Sequence, residues 1–268
     1  MLALSPIKAV MFDFIGTLVS VKGYNLEVSK MKLYKALCEA GFNVEHEKFL
    51  EAYAQAHEKY RVIRYQQLVE VTNAIWISEA LNLLGFKTNP EDSRIKTAVN
   101  LFFEDYLNSL KTRKCAKKLL KTLSMENYKL GLISNFTYAP LIYGALRKTG
   151  LNRFFDVVLV SADVGWRKPH VKIFEEALKR LGVKADEAIY VGDSPDEDIK
   201  GAKQLGIKTI YVASQFYPLE SLQKSMQSPD NIAKNLCEAE KGIWKITNLP
   251  QRQITKCCCF AENQNNNI

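Results

Sequence analysis

Long apolar runs are missing from this 268-residue chain. No stretch approaches the roughly 20 residues that a membrane-spanning helix needs, so no membrane span is expected. A leader is not expected either, because the first strand-like run, from Ala9, begins almost at the N-terminus. Paired cysteine spacing is also lacking: Cys38, Cys115 and Cys237 are scattered, and Cys257–Cys259 are adjacent. Without a C-x-x-C pattern, the usual zinc and dithiol frameworks are excluded. The reading is therefore free thiols in a reducing cytoplasm. The cysteine triplet has neither a partner histidine nor a basic amphipathic context, so neither metal binding nor lipid attachment is expected there.

The net charge of +8 raises nucleic acid as a partner, and its location answers the question. Residues 21–111 hold 12 basic and 12 acidic residues. The excess sits in 112–130, where Arg113, Lys114, Lys117, Lys118, Lys121 and Lys129 face Glu126 alone. That segment reads as a helix with Ala116, Leu119, Leu120 and Leu123 inward and lysines outward. No aromatic residues interleave for base stacking, so a solvated face is expected and not a nucleic-acid site.

Two textures divide the chain. Residues 24–110 carry helical periodicity, as in Met31, Leu33, Tyr34, Leu37 and Cys38, with Gly41 and Gly85 as helix ends. From residue 113 onward, helical and strand patterns alternate, with strands expected at 130–133, 157–160, 188–191 and 208–212. Such alternation predicts a parallel sheet with helices on both faces. The expected division is an α/β core from residues 1–20 and 112–248, interrupted by a helical insert at 21–111. A short strand and helix are expected within 231–247. The polar end, 249–268, reads as disordered.

Strand ends carry the chemistry. Val10-Met11-Phe12 stops at Asp13, and a Gly16-Thr17 turn follows. Ile133 leads into Ser134-Asn135, and Val191-Gly192 leads into Asp193-Ser194-Pro195, with Asp198 after them. Arg167-Lys168-Pro169 opens another helix. Ser194 is suited to cap its helix, with Pro195 at the first helical position. Parallel strands put these ends on one sheet edge, where open α/β sheets bind ligands. Asp13, Ser134, Lys168 and Asp193 should therefore converge.

In this order and spacing, the four segments resemble those of the haloacid dehalogenase (HAD) superfamily over residues 7–248. The likeness is to the subgroup with a helical cap after the first strand, and Asp13-Phe14-Ile15-Gly16-Thr17 is similar to the first motif of archaeal members. The resemblance implies a doubly wound Rossmannoid core with an all-helical cap. It implies a hydrolase using Mg2+, with Asp13 attacking phosphorus to form an aspartyl-phosphate. Asp13, the backbone carbonyl of Ile15 and Asp193 would hold the metal, a hard ion that prefers oxygen. Ser134 and Asn135 would bind the phosphoryl oxygens, Lys168 would neutralise Asp13 and the transferring group, and Asp198 would orient Lys168 or metal-bound water.

One position departs from the family pattern. Phosphatases of this type carry a second Asp two residues after the nucleophile, as general acid and base, where this chain has Ile15. General acid–base help contributes roughly 10²–10⁴-fold, so an ordinary alkyl phosphate would react slowly. Three readings follow: a phosphatase whose substrate has a good leaving group, such as an acyl or aryl phosphate; a dehalogenase or phosphonatase that breaks a C–halogen or C–P bond; or a phosphate-binding protein with little turnover. The metal-type Gly192-Asp193-Ser194 favours the phosphatase. A dehalogenase would also want an early cap arginine, and none precedes Arg61; Lys22, Lys30, Lys32 and Lys35 are too ordinary to mark a Schiff base. In the insert, Arg61 and Arg64 stand three apart, and their planar forks suit a carboxylate or second phosphate. The expected partner is a small phosphorylated, or less favourably halogenated, molecule.

Overall fold

The computed structural model describes residues 6–247. The expected polar tail and the Cys257–Cys259 triplet lie outside the described residues. Six parallel strands form the main sheet: β1 (Ala9–Phe12), β4 (Lys129–Ser134), β5 (Val157–Val160), β6 (Ala188–Gly192), β7 (Lys208–Val212) and β8 (Asn231–Ala233). Their spatial order is β5-β4-β1-β6-β7-β8. The order reverses at β1, which pairs with β4 on one side and β6 on the other. Open α/β sheets bind ligands beyond the strand ends at such a reversal.

Side-chain alternation along the strands separates two apolar layers. Val10, Phe12, Leu130, Leu132, Ile189 and Val191 face one layer, while Ala9, Met11, Ile133, Ala188 and Tyr190 face the other. The first layer is closed by Leu119, Leu120 and Leu123 of α5 (Ala116–Met125) and by Leu236 and Ile243 of α11 (Leu236–Thr247). The second is closed by Ile173, Phe174, Ala177 and Leu181 of α8 (Val171–Leu181). Burial on both faces explains why the strands read as near-continuous apolar runs.

Between β1 and α5 lie four helices: α1 (Leu26–Glu39), α2 (His46–Val62), α3 (Asn73–Leu83) and α4 (Ser93–Ser109). Short strands β2 (Val19–Val21) and β3 (Leu110–Thr112) pair antiparallel where the chain enters and leaves this helical block. Sequence periodicity did not indicate this ribbon, since three residues are too few to display alternation. After α2 the helix widens into a π-turn, Ile63–Gln67, and Leu68 then takes a left-handed φ of 57°.

The cysteine reading needs correction. Cys115 and Cys237 form a disulfide across 122 residues, with Cα atoms 5.2 Å apart, while Cys38 is a free thiol. Their spacing carried no signal, because α5 and α11 meet only by packing on the same sheet face. Among the described residues, no helix is long and apolar enough to cross a membrane.

Candidate active site

Asp13 follows directly on β1, Ser134 ends β4, and Asp193 follows β6, so three neighbouring strand ends deliver three polar side chains to one edge. The backbone N–H of Asp13 donates to Val191 O at 2.9 Å, which fixes the carboxylate where strand pairing ends. Two glycines make the space. Gly16 has a φ of +104°, and a Cβ there would overlap the Asp193 carboxylate. At Gly192, a Cβ would overlap the side chain of Asp198. Both turns require glycine because a carboxylate fills the volume beside them.

Lys168 lies at the centre, 1% exposed. Its Nζ donates to Asp13 Oδ1 at 2.8 Å, to Asp198 Oδ1 at 2.7 Å and to Ile133 O at 3.0 Å. Tyr190 Oη stands 3.1 Å from the same nitrogen. Asp198 Oδ2 accepts the backbone N–H groups of Asp193 and Ser194 at 3.0 and 2.9 Å. Both oxygens of Asp198 are thus committed to protein donors. On Asp193, Oδ2 accepts from the Ser214 hydroxyl at 2.5 Å, and Thr17 Oγ1 lies 3.5 Å from Oδ1. Arg113 ties the surrounding loops, donating to the carbonyls of Gly16, Thr17 and Ala213.

Electrostatics follow from this burial. Desolvation, opposed by Lys168 and reinforced by Asp198, raises the Asp13 pKa to about 6. Burial and the charges of Asp13 and Asp198 raise Asp193 well above the ordinary carboxylate range. Burial pulls Lys168 down, but Asp13 and Asp198 outweigh it and hold the ammonium well above its usual value. The cluster therefore carries more negative charge than its lysine balances. One ligand oxygen from each of Asp13, Asp193 and Asp198 lies within 4.8 Å of the others. Asp13 Oδ2 is buried without a hydrogen-bond partner among the described residues. An orphaned carboxylate oxygen beside a second carboxylate fits a divalent cation.

Asn135 departs from its expected role. Its Oδ1 accepts the Lys168 N–H at 2.8 Å, and its Nδ2 donates to Lys168 O at 2.9 Å and to Glu197 Oε2 at 3.0 Å. The amide thus grips the lysine backbone, and the side chain is committed to positioning Lys168. Arg61 and Arg64 are both ion-paired. Arg61 is exposed and held by Glu58 through Nε and Nη2 at 2.6 and 2.7 Å. Arg64 donates from Nε to Glu70 Oε1 at 2.6 Å. Each of the two thus has a carboxylate partner within the chain. Ile15, where the family acid would stand, packs against the main apolar cluster and bridges to Val19.

A buried ionic network that periodicity did not reveal joins the helical block to the sheet. The Glu70 side chain is wholly buried and accepts from Arg64, from Arg167 Nη1 at 3.3–3.4 Å and from the Ser161 hydroxyl at 2.5 Å. Arg167 Nη2 donates to Glu197 Oε1 at 3.1 Å. Backbone bonds fasten the same place, from Arg167 N to Leu68 O and from Glu70 N to Gly165 O. A signal was available: Glu70 stands between Val69 and Val71, and a carboxylate within an apolar run is tolerated only when paired.

Between the helices and this edge opens a cavity of about 810 Å³. Asn135, Phe136, Arg167 and Glu197 line it from the sheet side, and Tyr53, Tyr65, Trp76, Phe102 and Tyr106 line it from the helices.

Comparison with known proteins decides the family. The haloacid dehalogenase-like hydrolase family matches residues 10–212. This chain belongs to the haloacid dehalogenase-like hydrolases. Over 85% of its length it is 27% identical to a glyceraldehyde 3-phosphate phosphatase from Methanocaldococcus jannaschii, covering all of that protein. A glyceraldehyde 3-phosphate phosphatase from Methanopyrus kandleri is 32% identical over 77% of this chain and 84% of its own. The fold is shared with a 2-haloacid dehalogenase from Pseudomonas syringae, at TM-score 0.65 and 24% identity, over 89% of this chain and 99% of that one. As a haloacid dehalogenase-like hydrolase, the chain is an enzyme of the hydrolase class.

Proposed function

We propose that this hydrolase is a Mg2+-dependent phosphatase of small phosphorylated metabolites, with Asp13 as nucleophile. The observation that carries the reading is the asymmetry of Asp13: Lys168 holds Oδ1, and Oδ2 is left without a partner. Lys168 fixes the orientation of the nucleophile through Oδ1, and the oxygen that accepts no hydrogen bond is left for the metal. Asp13, Asp193 and the Ile15 carbonyl would hold Mg2+, and Asp198, with both oxygens engaged, would stay with Lys168. Bound there, Mg2+ would offset the excess carboxylate charge and neutralise the phosphoryl group. Lys168 keeps Asp13 ionised and oriented, and the Ser134 hydroxyl receives a phosphoryl oxygen at the neighbouring strand end. Residues 21–111 act as a cap that screens substrates, joined to the core formed by 1–20 and 112–248.

The names of the relatives support this reading, since several are glyceraldehyde 3-phosphate phosphatases and one, from Halopiger xanaduensis, is a ribulose-1,5-bisphosphate 5-phosphatase. We place the enzyme in the cytoplasm; the Cys115–Cys237 bond restricts that to a cytosol that tolerates disulfides, as in hyperthermophiles. Phosphate release from p-nitrophenyl phosphate and from glyceraldehyde 3-phosphate, with Mg2+ or with a chelator, tests the proposal. Release that requires Mg2+ and disappears in Asp13→Asn is expected. Halide release from 2-haloacids without metal, or tight phosphate binding without turnover, would overturn it.

A further inference from the structure

We infer that the ester this site favours is an aryl monophosphate, with an uncharged aromatic leaving group seated in the cavity beneath the helices. The inference rests on the phosphatase reading and narrows its substrate class. Three observations meet in the cavity.

The first is its walls. Tyr53, Tyr65, Trp76, Phe102, Tyr106 and Phe136 line it with aromatic rings, and Asn135, next to Ser134 and bonded to the Lys168 backbone, carries the lining to the strand ends. Flat π-faces suit a ring far better than a hydrated polyol chain.

The second is charge. Each cation lining the cavity is already paired: Lys30 with Glu27 at 2.9 Å, Arg64 with Glu70, and Arg167 with Glu70 and Glu197. A second phosphate or a carboxylate on the leaving group would meet, in that lining, only cations that already have carboxylate partners.

The third is the missing proton. Ile15 cannot protonate a departing oxygen, Glu27 and Glu197 are ion-paired, and burial together with Arg64 lowers His57 away from the protonated form. A phenol oxygen leaves as a stabilised anion and needs no such help. In the step, an Asp13 oxygen forms the bond to phosphorus as the P–O bond to the ring breaks, and the electron pair departs on the aryloxide. Water then attacks the aspartyl-phosphate at phosphorus, releasing inorganic phosphate and restoring Asp13. The proton that water sheds balances the one the aryloxide takes from solvent.

The test compares 2-naphthyl phosphate, acetyl phosphate and glyceraldehyde 3-phosphate, using the full chain with Mg2+. Acetyl phosphate has a good leaving group without a ring, so it separates recognition from leaving-group acidity. The expected kcat/KM for the naphthyl ester exceeds that for glyceraldehyde 3-phosphate by about 100-fold, and exceeds that for acetyl phosphate as well. Trp76→Leu and the half-exposed Tyr65→Leu should each lower the naphthyl-to-acetyl ratio about tenfold. Tyr65 is 53% exposed, so its variant should fold even if the Trp76 variant does not. Acetyl phosphate outrunning the naphthyl ester, or a ratio unmoved in a folded variant, overturns the aryl class and leaves the phosphatase standing. No phosphate release from any of the three compounds overturns both.

Discussion

Two buried charge clusters lie side by side, and they are built on opposite principles. Around Glu70, every charge has a partner: Arg64 and Arg167 share one carboxylate, and Arg167 reaches Glu197 with its other arm. Around Lys168, three carboxylates face one ammonium, and an Asp13 oxygen has no partner among the described residues. The balanced cluster fastens the helical block to the sheet. The unbalanced one retains unsatisfied electrostatic potential that a cation or phosphoryl group can relieve. Burial alone marks neither as a site; the surplus of charge does.

Breaking the unbalanced cluster should give the largest effect. Asp13→Asn is expected to lower turnover of p-nitrophenyl phosphate by at least about 10⁴-fold, because the amide is isosteric but a poor nucleophile. Circular dichroism should show the fold retained; a variant that keeps its activity would end the covalent mechanism.

Breaking the balanced cluster should act on stability first. Glu70→Ala leaves Arg64 without its carboxylate and Arg167 with only Glu197, and a broken buried pair costs about 3–5 kcal/mol. Urea unfolding of the purified variant measures this, and a loss below about 1 kcal/mol would show that the network is as dispensable as a surface ion pair.

The same Asp13→Asn variant sharpens the contrast from the other side. A carboxylate whose folded pKa is about 6 against an ordinary 3.8 destabilises the fold once it ionises. Its penalty is absent below about pH 4, grows as pH rises, and is complete above about pH 6. In chelator at pH 7, Asp13→Asn should therefore be more stable than the parent by about 2–3 kcal/mol, with the advantage vanishing near pH 4. Thermal melts across that range provide the check, and a variant less stable at pH 7 would mean that Lys168 needs the charge more than burial resists it.

The smallest effect is expected at Arg61, which is exposed and paired only with Glu58. Arg61→Ala should change neither the melting temperature nor KM measurably. A clear rise in KM would bring this arginine back as a substrate contact.

How much of this was legible in the sequence depended on the range of the interaction. Strand ends were legible, because an apolar run that stops at a polar residue marks both the strand and its mouth, as at Asp13, Ser134 and Asp193. The two-layer sheet and the helices flanking it followed from the switch between helical and strand periods. What escaped were contacts between distant segments. Asn135 sat in the right turn, but its grip on the Lys168 backbone depends on a neighbour 33 residues away. Glu70 meets Arg167 across 97 residues. The fork of Arg64 is plain in the sequence, but pattern alone does not show that a carboxylate six residues on accepts from its Nε.

The disulfide gives the chain a covalent ring. Between Cys115 and Cys237 run β4, β5, β6, β7 and β8, so five of the six sheet strands lie on one closed loop of backbone. A single proteolytic cut anywhere on that loop releases nothing until the bond is reduced. β1 alone comes from outside the ring, slotted between β4 and β6. The strand that carries the candidate nucleophile is thus held on both sides by hydrogen bonds and packing, and alone among the strands of that sheet it has no part in the covalent closure around it.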